Sequence, residues 1–252
     1  MDRAKFQSAI QSKDAARVNR EANKLNDALR DIGAATGQLQ ETLESARAQG
    51  DDDSSPSFRE LIGALAESYG VQGGIYRSLN KPEEAVIAYD RGYVFEKLFA
   101  SSKENSYNLV QRLISRIFAA PSAYGRTTWL YEDHDMWMEL AEARDEVRRQ
   151  MDEGGRGGDP WAAADAMLLD VLLAPRLGVE SAGRQIMESL ERFEDLEYDP
   201  FVCASTIRAF TELKQKLAGA APYPGAEGRA LTIRYLQMAI ARIKEFSEQS
   251  GG

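Results

Sequence analysis

Apolar residues recur at intervals of three and four along nearly the whole chain, and period-2 runs flanked by hairpin turns are absent. Side chains three and four apart share one face of a helix, so this rhythm predicts an all-α protein. In the first segment, Ala4 to Gln49, the positions Ala15, Val18, Ala22, Leu25, Leu29, Ile32, Thr36, Leu39, Leu43 and Ala46 form a heptad-like seam. Such a seam lays one helix along another. Gly33 and Gly37 weaken it, each by about 1 kcal/mol against Ala in a helix interior. The seam is rich in Ala, so a long helix or helical hairpin packed on the rest of the chain is favoured over a coiled-coil arm for self-association. Homo-oligomerisation through residues 15–46 is the alternative role.

The segment from Gln49 to Ser57, QGDDDSSPS, reads as an acidic, turn-rich linker. Ser57 followed by Glu60 has the spacing of a capping box opening the next helix. Residues 1–49 are therefore expected to form a helical arm or hairpin, and residues 57–248 a separate helical domain.

Between Tyr69 and Lys97 the pattern becomes more specific. Tyr69, Gly73 and Tyr76 are followed by Ala85 and Tyr89, with Asn80 in a turn and Pro82, Glu83 and Glu84 at a helix start. Asn tolerates left-handed backbone, Pro suits a first helical turn, and acidic residues complement its dipole. Small residues at 73, 85 and 92 let antiparallel helices approach, with tyrosines filling the space beside them. This stretch resembles a tetratricopeptide repeat, whose hallmarks are W-x2-L-G-x2-Y and A-x3-F on a period of about 34 residues. It departs from that pattern at Gln72, Gly92 and Lys97. The resemblance implies antiparallel helical hairpins stacked as an α-solenoid.

Farther on, Asp159-Pro160-Trp161 and Asp199-Pro200-Phe201 each place Asp as N-cap, Pro at the first helical position and then an aromatic, forty residues apart. Val179 to Phe193 reads as the intervening helix, with Ala182, Ile186, Met187, Leu190 and Phe193 inward. SYNLVQRLI (from Ser106), with those two segments, also resembles the TRAF-binding domain of certain mitogen-activated protein kinase kinase kinases and bacterial relatives. Spanning about Phe58 to Phe246, that resemblance implies a signalling scaffold without transferable catalytic residues.

The tetratricopeptide resemblance implies a concave face bearing Glu67, Gly70, Gly74 and Arg77. Gly70 and Gly74 stand where a carboxylate-clamping Lys and Asn would be useful, and suit close approach of a backbone or helix instead. Asn105, Asn108, Arg112 and Arg116 form a polar stripe opposite Val110, Leu113, Ile114 and Ile117. Asn and Arg bind backbone amides and carboxylates directionally. Arg77, Asn105, Asn108, Arg112 and Arg116 are thus the candidate partner-binding residues, set against the plainer reading of a solvated helix face.

Composition narrows the chemistry. The chain has 252 residues, a formal net charge of −9 and a single cysteine, Cys203. The acidic balance argues against a nucleic-acid partner, and a lone cysteine allows no intrachain disulfide and fits a reducing, cytoplasmic setting. The N-terminus lacks the apolar core of a signal peptide, and no apolar run reaches the roughly 20 residues of a membrane span. His134, the only histidine, lies among Glu132, Asp133 and Asp135, but consecutive residues do not converge on one ion in a helix. Trp129 and Trp137 are expected to pack at the start of a helix carrying Met136, Leu140, Ala143 and Val147, with partner anchoring as the sharper alternative. Cys203 is expected to be buried and inert. GGRGG, from Gly154, reads as a flexible loop and lacks the Lys-Ser/Thr of a phosphate loop. No nucleophile-elbow or metalloprotease motif occurs. The expectation is a protein without enzymatic activity, cofactor or metal, acting as an adaptor for a protein or peptide.

Overall fold

The computed structural model describes residues 2–52, 55–98, 106–119, 134–153, 155–196, 199–219 and 226–250. Among the described residues there are ten helices and no strand; consecutive helices pack together in the first half, and in the second half α7 packs with each of the other four. Two compact units divide the chain, Met1–Ala123 and Tyr124–Gly252. The N-terminal hairpin belongs to the first unit together with the residues that follow it, so the boundary does not fall at the acidic segment.

The first unit holds α1 (Arg3–Glu21), α2 (Leu25–Ala48), α3 (Pro56–Ser78), α4 (Pro82–Leu98) and α5 (Tyr107–Ala119). Contacts between α1 and α2 run from Lys5–Glu41 to Asn19–Asp31, so these helices are antiparallel. Tyr69–Phe95 and Gly73–Tyr89 give α3 and α4 the same relation. Contacts between α1 and α3 instead advance together, from Arg3–Glu60 to Arg20–Ser78, and these helices are parallel. One apolar cluster joins Phe6, Leu39, Leu43, Phe58, Leu61, Leu65 and Tyr69; another joins Ala16, Ile32, Ala35, Val71 and Ile75. Both lie between α3 and the first hairpin, which is therefore part of this core.

Two asparagines make the hairpin turns. Asn23 (φ 57) and Asn80 (φ 56) are the positive-φ non-glycine residues among those described. Each follows a helix whose end is closed by a bond from the residue after it, Lys24 N to Asn19 O and Lys81 N to Tyr76 O. The turn at Asn23 breaks the heptad-like seam. In α2 the expected Ile32, Thr36, Leu39, Leu43 and Ala46 are buried, whereas Ala15 and Val18 on α1 and Ala22 just after it face outward and Phe6, Ala9, Lys13 and Ala16 are buried instead. A continuous rod would have kept one phase; the turn resets it. The start of α3 also differs from expectation. Pro56 takes the first helical position behind Ser55, so Ser57 is inside the helix rather than capping it. Proline has no N–H to lose there.

The second unit holds α6 (His134–Asp152), α7 (Pro160–Leu177), α8 (Val179–Glu194), α9 (Pro200–Gly219) and α10 (Ala226–Ser250). Helix α7 is apolar on nearly every side and packs against α6, α8, α9 and α10. Asp159 Oδ1 accepts from Trp161 N, and Asp199 Oδ1 accepts from Phe201 N and Val202 N, so both Asp-Pro starts are capped as expected. Their aromatics meet edge to face, Trp161 and Phe201, at 6.1 Å. On α8 the inward set is Ala182, Ile186, Leu190 and Phe193; Met187 is exposed, one residue off the buried stripe. Arg156 pairs with Asp159 and donates to Gln150, tying the α6–α7 connection to its flanking helices.

Candidate binding face

Helix α3 is the centre of the first unit, and its glycines admit side chains from three other helices, α1, α4 and α5. At Gly73 an added Cβ would stand 2.6 Å from the Tyr89 ring, which is fully buried against the bare backbone. Gly74 lies beneath the Arg20 guanidinium, with Nη1 2.6 Å from a Cβ placed there, and Gly70 beneath Tyr107 and Asn108. Gly92 on α4 faces Asn108, so it admits α5 rather than α3.

Asn108 is at the heart of this arrangement and is wholly buried. Its Nδ2 donates to Ala66 O and to Glu96 Oε1, both at 2.9 Å. Glu96, itself buried, also accepts from the backbone N of Asn108 (2.8 Å) and of Leu109 (3.1 Å). These are first-turn donors of α5, which no residue of their own helix can satisfy. A carboxylate on α4 thus caps α5, and Asn108 works inside the fold.

The remaining predicted residues separate into two places. Arg112 and Arg116 converge on Asp90 of α4, at 3.7 and 3.6 Å, and Arg112 also lies 4.3 Å over the Tyr93 ring. Their side chains keep only 12% and 21% exposure, so this part of the stripe packs on α4 and is not a solvated face. Arg77 points to another side, donating to Gln111 Oε1 at 2.7 Å and lying 5.2 Å from Phe118. Asn105 lies outside the described residues.

Arg77 shares its side of α3 with residues the sequence reading did not select. Lys13 and Arg17 of α1 both pair with Glu67. Burial pushes the Glu67 carboxyl up, but the two cations outweigh it and hold the pKa below the usual range. One turn on, Arg20 bonds Ser78 Oγ at 3.4 Å. The visible clue is Arg-x-x-Asn-Lys, present at Arg20–Lys24 and again at Arg77–Lys81. Each time the Asn makes the turn and the Arg reaches the first helix of the following element, Arg20 to α3 and Arg77 to α5.

The other singled-out residues take structural positions. Trp137 is buried beneath Arg176, with Leu140, Ala143 and Val147 buried along the same helix, while Trp129 lies outside the described residues. Cys203 is buried, and burial followed by the nearby Asp199 raises its thiol pKa, which keeps it unreactive. Among the described residues no group of three or more His, Cys, Asp or Glu is placed to hold a metal ion, and no helix is long and apolar enough to cross a membrane. No protein-family model matches the chain, and no curated protein matches it.

Proposed function

We propose that the chain is a non-enzymatic helical-repeat adaptor or regulatory module in cytoplasmic signalling, which recognises a protein or peptide segment across the face of α1, α3 and α5. The reading rests on one observation, the repeated Arg-x-x-Asn-Lys hairpin end and the repeated reach of its arginine into the next element. Hairpins that restate their turn and their forward contact are the building rule of tetratricopeptide-like solenoids. The parallel run of α1 and α3, with Arg77 on α3 reaching α5, supports a surface built from the first helix of each pair. The self-assembly alternative loses its main support, because the apolar seam of residues 15–46 that is buried is used within the chain.

The test is capture of partners by the intact protein, followed by cross-linking to map the contact. A saturable partner cross-linked to α1, α3 or α5, and lost with Arg77→Ala at unchanged helical content, is the expected result. Cross-links confined to residues 134–250, or no saturable partner, would refute the assignment.

A further inference from the structure

Helix α4 carries apolar side chains on two opposite faces, and the fold of one chain covers one of them. Its inner stripe, Ala85, Tyr89 and Gly92, is buried, and the helix packs against α3 and α5. On the other side Ile87, Val94 and Leu98 are 54%, 57% and 44% exposed. Among the described residues, no other helix leaves three large apolar side chains in solvent. With Arg91 they fall at 87, 91, 94 and 98, the alternation of four and three that lays one helix along another. A helix that is apolar on opposite sides is ordinarily covered on both.

The charges along α4 say what fits this face. Its first turn is acidic, with Glu83 and Glu84, and its second half holds Arg91 and Lys97. Glu84 keeps 44% exposure and lies 3.9 Å from Lys81, a loose ion pair. Arg91 and Lys97 pair with no carboxylate among the described residues; Lys97 rests over its own Tyr93 ring at 4.7 Å. Two copies of α4 laid antiparallel bring the acidic end of each against the basic half of the other, whereas a parallel pair would set acid on acid. Helical spacing puts Glu83 and Lys97 on one edge of the apolar stripe and Glu84 and Arg91 on the other. A two-fold axis between antiparallel helices brings like edges together, so Glu83 meets Lys97 of the second copy and Glu84 meets Arg91, each contact occurring twice about a centre near Tyr89. Asp90, close to that axis, is already held by Arg112 and Arg116 of its own chain at 3.7 and 3.6 Å, so no bare like charges collide there.

We propose that the outer face of α4 is a self-association surface, covered by α4 of a second copy of this chain in an antiparallel, two-fold contact. This goes beyond the adaptor reading, and it uses a different helix from the seam of residues 15–46. One helix pair makes a small interface, so the dimer is weak, with a dissociation constant on the order of 10 µM.

Sedimentation equilibrium of the full-length protein across micromolar concentrations tests the surface. A reversible monomer–dimer equilibrium is expected. Val94→Glu would bury a bare charge in the contact and should weaken association about tenfold or more at wild-type helical content. Met187→Glu, exposed on α8, should associate as wild type. Two charge-reversed chains test the direction. Glu83→Lys with Glu84→Lys leaves both ends of the stripe basic, and Arg91→Glu with Lys97→Glu leaves both acidic. Each chain alone should associate about tenfold more weakly, and an equal mixture of the two should recover dimer. Wild-type protein that stays monomeric throughout overturns the proposal, as does a dimer indifferent to Val94→Glu. A mixture that associates no better than its separate chains overturns the antiparallel pairing. Each of these results leaves the adaptor reading to partner capture.

Discussion

Burial raises the carboxyl pKa of both Glu67 and Asp170, and only at Glu67 do the neighbours reverse it. Asp170 on α7 accepts from Arg148 of α6 (2.8 Å) and Ser189 of α8 (2.7 Å), with Arg144 of α6 adding a favourable field, yet its other oxygen is buried without a partner. The native state then holds the Asp170 proton more tightly than the unfolded chain does. Its contribution to stability is complete below the ordinary carboxylate pKa and is lost as pH rises through the raised native value. For Glu67 the sign is opposite: its contribution is present above the unfolded pKa and lost as pH falls through the lowered native one. In thermal melts, Asp170→Asn should gain on wild type as pH rises across the acid range. Glu67→Gln should fall short of wild type by about 1 kcal/mol at neutral pH, kept small by solvent screening, and match it at low pH. Identical pH profiles for variant and wild type would contradict either assignment. Glycines give a second contrast. Gly73→Ala drives a methyl into the immovable Tyr89 ring and should destabilise by about 2 kcal/mol despite better helix propensity. Gly33→Ala has nothing within 4 Å and should stabilise by about 0.5–1 kcal/mol. Denaturant midpoints of the two variants should move in opposite directions.

At the level of elements, the least expected device is the capping of α5 by Glu96. Glu96→Ala leaves two backbone donors and Asn108 short of an acceptor in a buried place and should cost about 3 kcal/mol. The loss should show first in amide exchange of α5, and equal protection in variant and wild type would argue against the cap. What the sequence made readable here was whatever depended on local pattern. Asp159, Asp199, Asn80 and Pro82 specify caps and turns from their own chemistry, and the α2 seam follows from spacing alone. Asn108 was legible as polar but not as buried, because its partners Ala66 and Glu96 lie on other helices. The phase of α1 was hidden for a related reason: Asn23 reads as one more polar residue until its backbone turns left-handed. Arg20 carried a signal, the pentapeptide shared with Arg77, but the two copies are far enough apart that neither is conspicuous alone.

Across the whole molecule, each unit carries its own apolar interior, and in the first that interior is completed by residues 1–49. A chain beginning at Ser55 strips Leu61, Leu65 and Ile75 of their partners on the first hairpin. Its first unit should lose cooperative unfolding and expose apolar surface to dye, while the helices of residues 134–250 persist. A shortened chain that melts like the full one would show the hairpin to be dispensable. The hold of Glu96 on α5 has one further effect. Because the acceptor for its opening amides is supplied by the element before it, α5 has no complete start until that element is in place. During folding, the opening amides of Asn108 and Leu109 are thus capped only once α4 has brought the Glu96 carboxylate beside them.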